Sequence, residues 1–372
     1  MKLSRKPLFI LLMLCVVSSS FSLGQIKKKY IVNGYVGGFR GLVNTEEIDA
    51  DKLTHINYAF VNVKDSLAVL TNLATDSTNF RKLNALKLKN PDLKILISIG
   101  GWAWSENFSD AVLTETSRQK FAKSSVDIIR QFNLDGVDID WEYPAMRGEE
   151  GNIFRPEDKQ NFTLMFKAIR QELDILEKEK GRKFQLTTAV GGSQSFVDNT
   201  EMGLVQRYTD YIFIMTYDYG GRNGTVGHHT NLYSDGESSS ADKSVKSFMA
   251  AGVPANKIVL GAAFYGKGVE AETTNNHGLG QKRVKSVQGG GYTKLKDTLI
   301  DQSGYKKYYD EKAKAPYLFN DSTRIFITYE DEESIKLKCE YVKENKLAGI
   351  FFWEYFNDPK EYLINEISKN LD

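Results

Sequence analysis

The sequence predicts a closed (β/α)8 TIM barrel with a small α+β insertion between strand 7 and helix 7. Eight short apolar runs rich in β-branched residues recur along the chain, and segments with helical spacing separate several of them. Strands that are apolar on both faces and alternate with helices indicate a parallel sheet covered by helices. Eight such units in 372 residues fit a closed barrel better than an open doubly wound sheet.

The apolar runs place the eight strands at residues 30–36, 54–63, 93–99, 134–141, 184–190, 211–217, 258–264 and 348–353. Apolar residues at intervals close to 3.6 predict helices at residues 117–132, 158–176, 241–251 and 332–345. No GxGxxG or P-loop spacing opens a helix, which weakens a nucleotide-binding alternative.

One long segment interrupts this rhythm between the seventh strand and the helix after it. Residues 267–328 contain three consecutive glycines at 289–291 and short strand-like pieces such as residues 324–328. Because a structureless loop of this length is rare, we interpret it as an α+β module beside the barrel mouth. The barrel would then comprise residues 25–266 and 329–372. A partner-binding lobe is the alternative interpretation of the segment.

The N-terminus predicts a secretory signal peptide over residues 1–24. Lys2, Arg5 and Lys6 precede an apolar run at 8–17 that is too short to span a bilayer. We expect a secreted or periplasmic protein that is not membrane-bound after cleavage. Cys339 would be its one remaining cysteine, so no intramolecular disulfide could form. Balanced charge, 49 basic against 48 acidic residues, gives no reason to expect nucleic acid as a partner.

Three acids alternate along the end of the fourth predicted strand: Asp138 and Asp140 lie within it, and Glu142 continues the series just after it. Alternate side chains of a strand share a face, so these carboxyl groups would point together. The opposite face would then carry Val137, Ile139 and Trp141. A charged edge strand is the alternative, but an edge strand would not be so apolar and aromatic on its other face. Asp135 has the opposite parity, and we expect it to form structural hydrogen bonds.

Other polar and aromatic residues follow the remaining strands, at the end of the barrel where active sites lie. They include Gly100–Trp102, Met215–Asp218 and Trp353. No histidine is among them, so we expect neither a metal nor another cofactor. His228 and His229 lie in a Gly-rich loop, which favours a solvated or capping role. The set suits acid-catalysed cleavage of a neutral, hydroxylated substrate.

The stretch Asp135-Gly-Val-Asp-Ile-Asp-Trp-Glu-Tyr-Pro144 resembles the DxxDxDxE signature of family 18 glycoside hydrolases, the chitinases and their relatives. Ser98-Ile-Gly-Gly-Trp102 is similar to the SxGG segment of that family, and Met215-Thr-Tyr-Asp218 to its MxYD segment. The resemblance covers nearly the whole mature chain. It includes Tyr309–Tyr317 of the insertion, which looks like the module of the deep-cleft members.

The resemblance implies a substrate-assisted mechanism, since this family is an exception among retaining glycosidases. Glu142 would protonate the glycosidic oxygen, and the neighbouring N-acetyl group would attack the anomeric carbon to give an oxazolinium ion. Asp140 would orient the acetamide, Asp138 would share a proton with Asp140, and Tyr217 would hold the acetamide oxygen. Buried neighbouring acids cannot all ionise, which fits a protonated Glu142 near neutral pH.

The resemblance also implies a set of cleft-lining positions. They are Tyr35, Phe60, Trp102, Met215, Asp218, Tyr265 and Trp353. Trp353 would be the floor under the sugar, although an ordinary core tryptophan is the alternative. Trp104 has no matched position and would be an exposed platform on the rim. Phe39 stands where many members carry Trp, and Lys267 where Arg is frequent, so sugar contacts there are expected to be weaker.

The leading hypothesis is a monomeric, endo-acting chitinase that hydrolyses chitin or chitooligosaccharides. An endo-β-N-acetylglucosaminidase that trims N-glycans is the second, but the insertion deepens the cleft for a linear chain. A non-catalytic, lectin-like barrel is the third. Glu142 disfavours it, because inactive relatives typically replace this acid.

Overall fold

The computed structural model describes residues 30–234, 236 and 238–371. The predicted signal peptide lies outside these residues. Among the part of the chain described, no helix has both the length and the apolar character needed to cross a bilayer.

Eight parallel strands close into a barrel, and each overlaps one predicted run. They are β1 (Ile31–Gly37), β2 (His55–Lys64), β4 (Lys94–Gly100), β5 (Gly136–Asp140), β6 (Gln185–Gly191), β7 (Tyr211–Met215), β8 (Ile258–Ala263) and β14 (Gly349–Trp353); the short β3 (Leu67–Val69) adds antiparallel to β2. Closure occurs at β1, which pairs with both β2 and β14. The predicted (β/α)8 barrel is confirmed.

Ten α-helices accompany the strands in the described residues. They are α1 (Leu73–Ala85), α2 (Phe108–Ala111), α3 (Glu115–Phe132), α4 (Asp158–Lys180), α5 (Gln194–Asp198), α6 (Met202–Val205), α7 (Ala241–Ala250), α8 (Tyr292–Thr298), α9 (Glu332–Glu344) and α10 (Tyr362–Leu371). The four predicted helices correspond to α3, α4, α7 and α9. Capping boxes start α3 at Thr114 and α9 at Asp331, each with a serine three residues later that completes the reciprocal bonds.

A second sheet of five antiparallel strands lies between β8 and α9. Its strands are β9 (Tyr265–Ala271), β10 (Arg283–Gly291), β11 (Lys306–Asp310), β12 (Ala315–Asn320) and β13 (Ile325–Thr328), in the spatial order β10-β9-β13-β12-β11. Tyr317, Phe319 and Phe326 form its small core together with Val226, which comes from the loop after β7. The second sheet therefore packs against that loop. The domain boundaries given above stay a prediction.

Two apolar layers hold the barrel. The larger lies between strands and helices and includes Val137, Ile139 and Trp141. The smaller fills the barrel interior and includes Tyr35, Phe213 and Phe351. The alternate residues of β5 therefore point in opposite directions, as their parity predicts.

The sixth predicted strand is shorter than expected. β7 ends at Met215 because the Thr216 N–H donates to the Ile214 carbonyl over 2.7 Å. This tight turn takes Thr216 and Tyr217 out of the sheet, and the Tyr217 side chain lines the cleft described next.

Candidate active site

A cleft of about 760 Å³ opens at the carboxyl end of the barrel strands. Its lining contains ten of the eleven predicted site residues, all but Asp138: Tyr35, Phe60, Trp102, Asp140, Glu142, Met215, Tyr217, Asp218, Tyr265 and Trp353. It also contains Phe39, Trp104, Tyr143, Ala189 and Lys267. Within the described residues, no three His, Cys, Asp or Glu side chains are grouped to hold a metal ion.

Asp138 lies below the cleft, completely buried among hydroxyl groups. Tyr35 and Ser98 each donate to its Oδ2 over 2.8 Å, and Thr187 donates to Oδ1 over 2.6 Å. The barrel register produces this cradle, because Asp138 pairs with Ser98 on β4 and with Thr187 on β6. Burial raises the pKa of Asp138, and the three hydroxyl donors oppose that rise.

Asp140 and Glu142 continue the row upward into the cleft. Burial raises the pKa of Asp140 well above its usual value, and the charges of Glu142 and Asp138 raise it further. In the described structure, Asp140 Oδ1 is buried and has no hydrogen-bond partner in the protein. The hydrogen-bonding capacity of this atom is therefore unused by the protein, although the Asp140 side chain lines the cleft.

Glu142 is the acid at the top of the row, and burial raises its pKa from 4.5 to about 7. The neighbouring Asp218 raises it and Lys267 lowers it. Its backbone is fixed on both sides: the Glu142 N–H donates to Ser105 Oγ over 2.9 Å, and Asn152 Nδ2 donates to the Glu142 carbonyl over 3.2 Å. Glu142 can therefore hold a proton near neutral pH at a fixed position.

Asp218 anchors the opposite wall of the cleft. Its Oδ1 accepts from the Tyr265 hydroxyl over 2.6 Å and lies 2.7 Å from Lys267 Nζ. Partial desolvation would raise its pKa, but the imidazole of His229, whose Nδ1 is 3.6 Å away, and the ammonium of Lys267 hold that pKa well below its usual value. Asp218 is therefore ionised at neutral pH.

Aromatic rings form the floor of the cleft. The Trp353 ring stacks on Phe60 at a centroid distance of 5.4 Å and lies 6.2 Å from Phe39, with interplanar angles of 17° and 18°. Tyr35 packs below Trp353 at 5.7 Å. Phe39 is half exposed, at 50%, and extends this apolar surface outward. A flat surface of this kind suits the apolar face of a sugar ring.

Asp135 stands apart from the cleft, at the amino end of β5. Its carboxylate accepts from the Ile95 N–H and forms ion pairs with Lys87 and Arg182. Asp135 therefore has the structural role that was predicted from its position on the opposite face of the strand.

The solvated role predicted for His228 and His229 was wrong, because both side chains are buried. His228 Nε2 lies 3.0 Å from the Asp310 carboxylate, and its ring packs on Tyr317 and Phe326 of the second sheet. Packing against the second sheet excludes water from the two imidazole rings, and the local sequence does not indicate this packing. Trp104 is half-buried rather than exposed, because its ring packs edge-on against Phe60.

Sequence reasoning also missed the roles of Ser98 and Thr187, which donate to Asp138 together with Tyr35. The signal was present, since each lies at an inward position of a strand that neighbours β5. Tyr143 was missed as well; it follows Glu142 directly and packs edge-on against Trp102 at 6.4 Å.

Comparisons with known proteins agree with this geometry. The sequence model of the Glycosyl hydrolases family 18 matches residues 31–358. Chitinase A1 of Niallia circulans is 35% identical over 97% of this chain, which spans 62% of the length of that protein. A family 18 N-acetylglucosaminidase from Paenibacillus barengoltzii superposes with a TM-score of 0.85 at 44% identity, covering 92% of this chain and 99% of the other. The chitinase ChiW from Paenibacillus sp. gives a TM-score of 0.86 at 38% identity, covering 92% of this chain and 42% of the other.

Proposed function

The chain belongs to the family 18 glycosyl hydrolases, and from this premise we propose that it is a chitinase acting on β-1,4-linked N-acetylglucosamine chains. One observation carries the proposal. The buried Glu142, with a pKa of about 7, tops a row of inward acids and shares its cleft with an aromatic floor around Trp353. A proton donor beside a surface for sugar rings is the minimum that glycoside cleavage requires.

In the first half-reaction, Glu142 gives its proton to the oxygen that links two sugars. The carbonyl oxygen of the 2-acetamido group attacks the anomeric carbon as the bond to the leaving sugar breaks. The leaving chain departs with the proton, and a cyclic oxazolinium ion stays in the cleft. No carboxylate of the protein bonds covalently to the sugar.

Asp140, Asp138 and Tyr217 serve the attacking acetamide. Asp140 accepts from the acetamide N–H and compensates the positive charge of the ring that forms. Its unpartnered Oδ1 supports this role. Tyr217 donates its hydroxyl to the acetamide oxygen, and Asp138, held by three hydroxyl groups, shares a proton with Asp140.

In the second half-reaction, water attacks the anomeric carbon from the side the leaving chain has vacated. The Glu142 carboxylate takes a proton from this water, and the bond from the acetamide oxygen to the anomeric carbon breaks. The acetamide is restored and Glu142 is protonated again. Two inversions at one carbon give overall retention.

Release of single N-acetylglucosamine units is a second candidate activity. The similarity to the Paenibacillus barengoltzii N-acetylglucosaminidase favours it, whereas the open cleft floor that continues to Phe39 favours endo-acting cleavage of longer chains. Residues 1–24 support export to the periplasm or the medium. We propose a monomer whose partner is the carbohydrate alone.

A product assay tests the proposal. Wild type and Glu142→Gln are incubated with end-labelled chitohexaose and with a high-mannose glycopeptide. Early release of dimers and trimers from chitohexaose by wild type alone is the expected result. Early release of monomers alone would favour the second activity, cleavage of the glycopeptide alone would indicate N-glycan trimming, and no cleavage of either would refute the proposal. Fully deacetylated chitosan should resist cleavage, because it lacks the attacking acetamide.

A further inference from the structure

A buried ion pair lies behind the cleft wall that carries Tyr217. Lys338 of α9 contacts Glu330, which lies between β13 and α9, and each side chain is only 1% exposed. Ion pairs this deeply buried add little stability over apolar side chains of similar size.

The pair belongs to a fully connected hydrogen-bond network. The Lys338 ammonium donates to the Glu330 carboxylate, to Thr230 Oγ1 over 2.9 Å and to the Gly261 carbonyl over 3.3 Å. These contacts use all three of its donors. Glu330 also accepts from Thr230 Oγ1 over 2.6 Å and from Ser334 Oγ over 2.5 Å.

Gly261 connects this network to the cleft. The pairing of β7 with β8 ends at Ile214 and Leu260. One residue later, the Gly261 carbonyl accepts from Thr216 Oγ1 over 2.6 Å as well as from Lys338. Where β7 leaves the sheet, side chains of the network therefore bond the Gly261 carbonyl in place of a β7 backbone N–H.

Tyr217 rests directly on Gly261. A Cβ added to Gly261 would lie 3.0 Å from Cε1 of Tyr217 and 2.9 Å from the Thr216 nitrogen. The Tyr217 ring therefore leaves no room for a side chain at position 261, and a displaced glycine backbone would press on it.

We propose that Lys338 and Glu330 are positioning residues for the reaction. By fixing the Gly261 carbonyl, Thr216 and Thr230, they set the place of the Tyr217 hydroxyl against the substrate acetamide. The inference rests on the proposed function, in which Tyr217 holds that acetamide. Because Glu330 follows β13 closely, the second sheet also contributes to the catalytic geometry from outside the cleft.

The test uses the neutral double variant Lys338→Met/Glu330→Gln. A single Lys338→Met change would leave a buried carboxylate unpaired and could prevent folding. We expect kcat on chitohexaose to fall by about 10- to 100-fold, the cost of a displaced catalytic group, while KM stays within about 2-fold. An unchanged kcat in a wild type-like fold would overturn the proposal.

A double-mutant cycle with Tyr217→Phe separates positioning from general destabilisation. If Lys338 and Glu330 act through the Tyr217 hydroxyl, the Tyr217→Phe enzyme already lacks the group that they position. Adding Lys338→Met/Glu330→Gln to Tyr217→Phe should then lower kcat by a further factor of less than about 2. A further loss of kcat by about 10- to 100-fold in the Tyr217→Phe background would refute this. A wild type that cleaves no substrate would refute the proposed function instead, so the two failures are distinguishable.

Lys87→Met/Asp135→Asn is the matched control. This ion pair lies at the opposite end of the barrel, where Lys87 Nζ is 2.5 Å from Asp135 Oδ2. Its loss should lower the melting temperature and leave kcat unchanged. A kcat loss as large as that of Lys338→Met/Glu330→Gln would show a general effect of destabilisation and overturn the inference.

Discussion

Lys267 and Asp218 form an ion pair on the cleft wall, with Nζ 2.7 Å from Oδ1. The two charges act on Glu142 in opposite directions, since Asp218 raises its pKa and Lys267 lowers it. Asp218→Asn should therefore lower the pKa of Glu142, and Lys267→Gln should raise it. The general acid must be protonated, so activity falls as pH rises through this pKa, about 7 in wild type.

The measurement for this prediction is kcat/KM against pH. The alkaline limb should move to lower pH in Asp218→Asn and to higher pH in Lys267→Gln. If the alkaline limb moved in the same direction in both variants, the assignment of Glu142 as the acid would be contradicted.

Glu142→Gln should abolish most activity and change the pH dependence of stability. General acid catalysis typically contributes about 10²- to 10⁴-fold, so kcat should fall by that range. The pKa of Glu142 is higher in the folded state than in the unfolded state, so wild type loses stability as pH rises from about 4.5 through about 7. The amide of the variant cannot ionise, so the variant should be more stable than wild type at pH 8, by ~3 kcal/mol, and similar at pH 4.

Denaturant unfolding at both pH values checks this expectation. Glu46→Gln, at an exposed glutamate, is the control and should follow wild type at each pH. Equal stability of Glu142→Gln and wild type at pH 8 would contradict the raised pKa.

Thr187 and Thr188 offer a matched pair on β6. Both are fully buried, but Thr187 donates to Asp138 over 2.6 Å, whereas Thr188 donates to the Ile139 carbonyl over 2.9 Å. Thr187→Val and Thr188→Val should each cost about 1–3 kcal/mol of stability. Only Thr187→Val should lower kcat, by about 10-fold or more, because it weakens the cradle of Asp138.

Steady-state kinetics and thermal unfolding of the two variants give the comparison. Equal kcat losses in the two variants would mean that the hydrogen bond from Thr187 to Asp138 has no specific role in the reaction.

Phe39 should matter for long substrates alone. It lies 6.2 Å from Trp353 and is 50% exposed, so only sugars beyond the first would reach it. Phe39→Ala should raise KM for chitohexaose by about 5- to 10-fold, the value of one aromatic contact, and Phe39→Trp should lower it. KM for chitobiose should stay unchanged in both variants; a parallel rise there would place Phe39 at the cleavage site itself.

The barrel and the acid row could be predicted because both depend on local patterns. The parity of residues 137–142 alone separates inward acids from outward apolar residues, and the register of a closed barrel then assigns their neighbours. Helix α1 escaped prediction because its buried face is half polar: Asp76 and Asn79 are buried beside Phe80 and Leu83. A periodicity of apolar residues cannot reveal such a helix.

Contacts distant in sequence escaped prediction for a different reason. The burial of His228 depends on Asp310 and Phe326, and the environment of Tyr217 depends on Lys338 and Glu330. Nothing within either local segment indicates its distant partner. Such pairings become visible only when the second sheet and α9 are in place.

The closure of the barrel at β1 and β14 has a consequence for synthesis of the protein. Tyr35 comes from the first barrel strand and Trp353 from the last, yet their rings meet at 5.7 Å beneath the cleft. A growing chain carries all three acids of the row long before it carries Trp353, which completes the floor of the cleft. The floor of the cleft therefore cannot form before the last barrel strand has been synthesised, although the acid row is in the chain much earlier.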